Sequence, residues 1–531
     1  MTLTYLEEVG LPVGGAAACK AEVRATTADA AEAAAPAEVP EGAGGAGDRL
    51  VQPTRFVAIA AEEQPKVKEA VLEVLRAHSE WHGLVCDLVA KHKIKVTCTA
   101  SAGTDLVATH LTLHNDNVLI KLGRAHNFPR GFCLVVDTAA RRLAGQGTFY
   151  PKFANDDRNA SFSAKDFGGV TAISCFLKYS GSAGIITIIR DIEGRAVAWT
   201  GSSKNSCNHG PPADGGPSYP SEVAEIFGRY ATERFLRWCD TWRVSSLGLE
   251  VFIATDQSHG YGYAASGCIV TAVCVDGDTD GRAIYLHPKQ LYAACQEIGL
   301  PTDRPMCVEG QGPIQSFVES LSTMRDLLTL SSLRRVLLDE CGVELETMHG
   351  SLIDSEIIEG FVIRRWRGDV EVDAVKFKIW LYQMVTQVLR PSLRGSRNAL
   401  DFRGQMASLK APSGDLQEAF TKLMEKEVAH WCVSDDPTGL ALCRWVLCAA
   451  AEACLPDGHP QLQWPAEPEA PFPAAAPVPE GCVPREPGRA YWIALGDHAV
   501  GRLLAVLGTG ADIQGGAAKL CGATLAASAS G

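Results

Sequence analysis

Between residues 96 and 381 short apolar runs recur, each bounded by Gly, Ser, Asn or Asp, with amphipathic stretches set among them. This alternation constrains the fold more than any single motif. A run too short for a helix and flanked by turn residues is a strand, and strands joined by short turns pair antiparallel. The pattern predicts strands over 96–99, 106–113, 117–122, 132–136, 170–177, 185–189, 196–199, 247–255, 268–275, 357–365 and 374–381. Spacings of three and four, as in Val67, Val71, Val74 and Leu75, predict helix over 64–93, and similar patterns predict helix over 220–242 and 314–344. Strands interrupted by helices on one chain indicate an α+β body built on antiparallel sheets.

Composition bounds what such a body can do. The chain has 531 residues, 46% hydrophobic and 21% charged, which is ordinary for globular protein and allows about three to four domains. The net charge of −13 excludes a global positive field that would hold it on nucleic acid or an anionic membrane, so a polyanion partner needs a local basic surface. No apolar run free of charge reaches the roughly 18 residues of a membrane-spanning helix. The opening segment carries Glu7 and Glu8 without a basic start or an apolar core, which argues against a secretory signal and disfavours an organelle transit peptide. Eighteen scattered cysteines with no Cys-x-x-Cys pair read as buried reduced thiols, hence an intracellular address in cytoplasm or nucleus, with an organelle left open.

Five segments are expected. Residues 1–50 form a leader rich in Ala, Gly and Pro, too poor in apolar surface to offset the entropy of ordering. Residues 51–389 form the α+β core, and 390–455 a mainly helical region. Ten of the 28 prolines fall in 456–489, a density that makes it a linker, and 490–531 is a tail without an assigned role.

Within the core, Lys178 ends an apolar strand and is followed by Tyr179, Ser180, Gly181 and Ser182. A nucleophilic lysine needs such a rigid mount and a glycine that lets a nucleotide approach the backbone. A solvated lysine at a strand end fits the same spacing, and Lys165, in Lys165-Asp166-Phe167-Gly168, has the same Lys-x-x-Gly form. Further elements follow a fixed order: Pro129-Arg130-Gly131-Phe132, Lys152-Phe153-Ala154-Asn155, Lys178 to Gly181, and Ser202-Ser203-Lys204-Asn205-Ser206. After them come Leu249-Glu250-Val251-Phe252, Glu359-Gly360-Phe361-Val362-Ile363-Arg364, and Val375-Lys376-Phe377-Lys378.

Taken in order, these elements resemble the covalent nucleotidyltransferases, most closely the RNA ligases of the bacteriophage type and the ligase domain of fungal-type tRNA ligases. The resemblance covers roughly residues 111–391, and the Lys-Phe-Ala-Asn element points to the RNA branch. It implies an antiparallel-sheet nucleotidyltransferase core, ATP-grasp-like in its adenylation function, with a mainly helical C-terminal region. The implied activity is ATP-dependent joining of 5′-phosphate and 3′-hydroxyl RNA ends through a lysyl-AMP, in tRNA splicing or RNA repair, with ATP and Mg²⁺ as cofactors. Lys178 would be the nucleophile and Glu359, Lys376 and Lys378 its catalytic companions. Arg130, Lys152, Lys204, Glu250 and Gly181 would bind the nucleotide, and Glu359 and Glu250 would serve the metal.

The family places Asp or Asn two residues after the lysine, where this chain has Ser180, a hydroxyl that brings no charge to a hydrated metal. A second expectation therefore stands beside the first: a nucleotide- or RNA-binding relative that does not turn over. The guanylyltransferases and DNA ligases of the same superfamily rank lower, because the Lys-Phe-Ala-Asn element favours RNA ligases. No Gly-x-x-x-x-Gly-Lys-Ser/Thr loop and only one His-x-Thr element, His110-Leu111-Thr112, occur, so end-healing chemistry would come from separate enzymes. Arg394, Arg397, Arg403, Lys410, Lys422 and Lys426 could supply a basic face for RNA. Trp366 could stack on a base or pack in a core, and His259 could cap a turn.

Overall fold

The computed structural model describes residues 48–126, 128–152, 154–155, 167–179, 181–211, 218–253, 265–277, 281–323, 337–338, 359–368, 370–378 and 422. They form a mixed α/β fold of three open five-stranded sheets, antiparallel but for one short pair, and seven helices among the described residues. The helical region at 390–455, apart from Lys422, lies outside the described residues, as do the linker, the tail and most of the leader. Among the described residues no helix is long and apolar enough to cross a membrane.

The first sheet runs in the order β1 (Val57–Ala58), β2 (Lys95–Ala100), β3 (Leu106–Thr112), β4 (Phe132–Asp137), β5 (Arg142–Thr148). Both its faces are buried. Phe132, Leu134 and Val136 of β4 pack under α1 (Gln64–His78), α2 (Glu80–His92) and α3 (Asp116–His126), while Cys133 and Val135 point the other way, into a core shared with Ile189 of the second sheet. The second sheet has the order β12 (Ala283–Tyr285), β11 (Gly267–Asp276), β10 (Val244–Phe252), β8 (Ser182–Arg190), β9 (Ala196–Ser203). Leu247, Leu249, Val251, Val273 and Val275 line its outer face beneath α4 (Tyr219–Gly228), α5 (Glu233–Thr241) and α6 (Pro288–Ile298). The result is helices, sheet, sheet, helices. The two sheets meet at β5, where a Cβ on Gly145 would stand 2.6 Å from the Ile188 carbonyl oxygen and one on Gly147 would fall on the Thr187 hydroxyl. Glycine is what lets these sheets close on one another.

The third sheet has the order β13 (Met306–Glu309), β7 (Ala172–Leu177), β14 (Gly360–Arg367), β15 (Val370–Lys378), β6 (Ala154–Asn155), with α7 (Gln311–Thr323) packed on β13 and β7. Its one parallel pair joins β6 to β15, Asn155 standing opposite Lys376.

Three expectations about elements are corrected. The 117–122 run is not a strand but the heart of α3: the Asn115 side chain caps the Val118 N–H at 3.1 Å, and Leu119 and Leu122, one turn apart, are buried. The single helix expected over 64–93 is two, because Ser79 is extended and its hydroxyl caps His82 N at the start of α2. The 220–242 helix likewise breaks before Thr232, whose hydroxyl caps Phe235 N at the start of α5. The described cysteines are all free, nine of them buried and Cys307 half-buried, in keeping with reduced thiols.

Candidate active site

A cleft of about 590 Å³, measured to its open mouth, lies between the second and third sheets. Strand alternation decides what it sees of the third sheet. Phe176, Val362 and Lys376 stand opposite one another on β7, β14 and β15, and all three line the cleft. Phe361 and Phe377, one residue along, pair their rings on the buried opposite face. The next rung towards the strand ends pairs Lys178 with Gly360, Lys178 N donating to Gly360 O at 2.8 Å, and Gly360 with Lys378. Lys378 is described only as the last residue of β15.

Lys178 Nζ donates to Glu359 Oε1 at 2.9 Å and to the Tyr179 carbonyl at 3.2 Å. Burial pulls the pKa of this amine down, but the charges of Glu359 and Glu250 and the Glu359 hydrogen bond outweigh it. The group is held above the ordinary lysine value, against a smaller opposing contribution from Arg130. Lys178 is thus held as an ammonium at neutral pH. The turn that follows is pinned to the second sheet at two points: Gly181 N donates to Glu250 Oε1 at 3.0 Å, and the Tyr179 hydroxyl donates to Asp303 Oδ2. Gly181 has no room for a side chain, since a Cβ would stand 2.8 Å from Val251 O and 2.9 Å from Glu250 Cγ.

The other walls come from the first sheet's end and from β10 and β11. Arg130 precedes β4, and its N–H donates to Tyr150 O, just after β5, at 3.1 Å. Arg130 Nε and Arg364 Nε are buried without a hydrogen-bond partner among the described residues, both beside the cleft. Arg364 is 3% exposed. It pairs with Glu371 Oε2 at 3.0 Å and lies over the Tyr150 ring, its Cζ 3.7 Å from the centroid, while the Tyr150 hydroxyl donates to Thr271 O at 3.0 Å.

The structure thus brings Lys178, Lys376, Glu250 and Arg130 to one cleft, with Glu359 behind the lysine. It does not bring every expected residue there. Lys152 is buried beside α3, close to Gly123, and the backbone of Lys204 packs against Gly131; neither is among the residues lining the cleft. Of the element that begins with Lys152, the backbone of Asn155 pairs opposite Lys376 on β15. Phe153, Ser180, Lys165 and His259 lie outside the described residues.

Trp366 is packed, its ring 4.3 Å from that of His287, and His110 sits fully buried on β3. Sequence reading missed Phe149, Tyr150, Thr271, Tyr179, Asp303 and Glu371, and it assigned no role to Arg364 beyond closing the element that starts at Glu359. Its place two residues after Val362, on the Lys376 side of a strand, was the signal that could have found it. Comparison with protein-family models returns no match for this chain, and comparison with curated proteins returns none either.

Proposed function

We propose that this chain is an ATP-dependent RNA ligase that uses Lys178 as its nucleophile. The observation that carries the reading is the convergence of Lys178, Arg130, Glu250 and Lys376, from four separated stretches of sequence, on one cleft. In the first step the Nζ–Pα bond forms, the bond from Pα to pyrophosphate breaks, and Nζ gives up a proton. The AMP then passes to an RNA 5′-phosphate, and a 3′-hydroxyl attacks that phosphate and expels AMP. Arg130 and Lys376 face the space where the phosphates would lie, and positioning with charge neutralisation is most of what phosphoryl transfer requires.

The carboxylate set suits Mg²⁺, which keeps several waters and binds through one or two carboxylates plus substrate phosphates. Glu250 and Glu359 fit that role, and the described residues contain no cluster of three or more His, Cys, Asp or Glu that would form a full protein cage. The ion would supply positive charge against the phosphates. Glu359, hydrogen-bonded to Lys178 Nζ at 2.9 Å, is the group placed to take the proton that the ammonium must lose before it attacks.

A second reading, nucleotide binding without turnover, is favoured by the same ion pair, because an ammonium has no lone pair to attack with. One experiment separates them. Incubation with α-labelled ATP and Mg²⁺ followed by denaturing electrophoresis should leave label on wild type and on Lys165→Ala, and none on Lys178→Ala. Absence of label on wild type cleared of bound AMP with pyrophosphate would exclude the ligase reading and favour binding alone. RNA with a 5′-phosphate and a 3′-hydroxyl then tests the joining step.

A further inference from the structure

The residue next to Lys178 is held more firmly than a turn residue needs to be. Tyr179 is 3% exposed, its ring stands edge-on to Phe252 at 5.5 Å, and its hydroxyl donates to Asp303, which is itself buried. Asp303 belongs to a segment fastened to β11: Val270 N donates to Pro301 O at 2.7 Å, and the Thr302 hydroxyl donates to Val270 O at 2.9 Å. Lys178 itself is fastened to the opposite sheet through Gly360 O. The peptide between Lys178 and Tyr179 is thus stretched between two sheets, and the carbonyl of Tyr179 is one of the two groups that Nζ touches.

From this geometry we infer that Tyr179 and Asp303 are positioning residues for the nucleophile: their hydrogen bond fixes the Tyr179 carbonyl, and that carbonyl with Glu359 aims Nζ into the cleft. The inference rests on the lysyl-AMP reading for its catalytic meaning, but the aiming of Nζ is measurable without it. A buried tyrosine hydroxyl needs an acceptor wherever it lies, and a structural role alone would be satisfied by a neighbouring backbone carbonyl. Here the acceptor is a buried carboxylate on the segment fastened to β11, and the donor is the residue directly after the lysine. A misplacement of about 1 Å at a reacting group costs on the order of 10²-fold in rate, so such a lock has kinetic consequences.

The test compares full-length wild type, Tyr179→Phe and Asp303→Asn. Phenylalanine removes only the hydroxyl, and asparagine keeps an acceptor for it. Two readouts are taken: the pH titration of Lys178 by trace acetylation with acetic anhydride and mass spectrometry, and the rate of lysyl-AMP formation at saturating ATP. Tyr179→Phe should shift the Lys178 titration and slow adenylylation about tenfold or more with the KM for ATP within about twofold, whereas Asp303→Asn should stay within about threefold of wild type. A Tyr179→Phe protein with a lowered melting temperature but wild-type titration and rate would show a merely structural role and overturn the inference. If wild type takes up no AMP, the ligase reading fails, and the acetylation titration alone still decides whether Tyr179 aims Lys178.

Discussion

Lys178 and Glu359 meet at the ends of two paired strands: Lys178 N donates to the carbonyl of the residue after Glu359, and the two side chains close an ion pair of 2.9 Å with the amine 18% and the carboxylate 6% exposed. Backbone pairing and side-chain pairing thus specify the same contact.

Glu359→Gln keeps the shape of this pair and removes the charge. Among the groups that raise the Lys178 pKa, Glu359 is the largest, so without it burial gains weight and the value falls. In wild type the raised folded value means that the pair's contribution to stability is fully present below the unfolded lysine pKa of about 10.4 and is lost as pH rises through the folded value. The variant should lose about 2–3 kcal/mol at pH 7 by denaturant unfolding, and the gap to wild type should narrow as pH rises through that range.

Gly181→Ala tests the turn. The added methyl meets Val251 O and Glu250 Cγ at distances that Cβ atoms do not tolerate, so the turn must move and the Gly181 N–H to Glu250 bond must lengthen or break. A cost of about 1–3 kcal/mol in unfolding free energy is expected. If the variant unfolds like wild type, the close approach of the turn to β10 is not what fixes glycine at this position.

His110 sets part of the acid limit. It is fully buried on β3, with Nε2 against Ser203 O at 3.1 Å and Nδ1 against Thr112 Oγ1 at 3.3 Å, and burial lowers its pKa from 6.5 to about 4. A histidine with a depressed folded pKa contributes stability that is complete above the unfolded value and is lost as pH falls. The loss here runs from pH 6.5 to about 4 and amounts to about 3 kcal/mol. His209 and His78, also held down by burial, add to the same limb. His110→Gln, which keeps a donor and an acceptor, should flatten this limb by about one proton in a series of urea titrations between pH 7 and 4. An unchanged slope would mean that His110 titrates alike in the folded and unfolded protein and that burial does not depress it.

What could be seen in the sequence followed from how local the signal was. Strands β4, β7, β8, β10 and β11 declared themselves because their apolar residues are buried on at least one face. β5 did not: in Arg142-Leu143-Ala144-Gly145-Gln146-Gly147-Thr148 the two glycines that permit sheet contact erase the strand signal. The Val118-Leu119-Ile120 run reads as strand until the Asn115 cap and the one-turn spacing of Leu119 and Leu122 are weighed. At the site, Lys178, Glu250 and Lys376 stood out only through the resemblance of the whole ordered set, since by spacing alone each reads as a solvated or salt-bridged residue on a strand. Tyr150, Asp303 and Glu371 were not, since their roles depend on long-range contacts.

The ladder between β7 and β14 acts as a ruler. Because Lys178 directly follows β7 and Glu359 directly precedes β14, with Lys178 N bonded to Gly360 O, the ladder fixes their separation at the strand ends. The long stretch of chain between them, including the whole second sheet, is excluded from that measurement. A change of length in the intervening loops therefore leaves the spacing of this ion pair untouched.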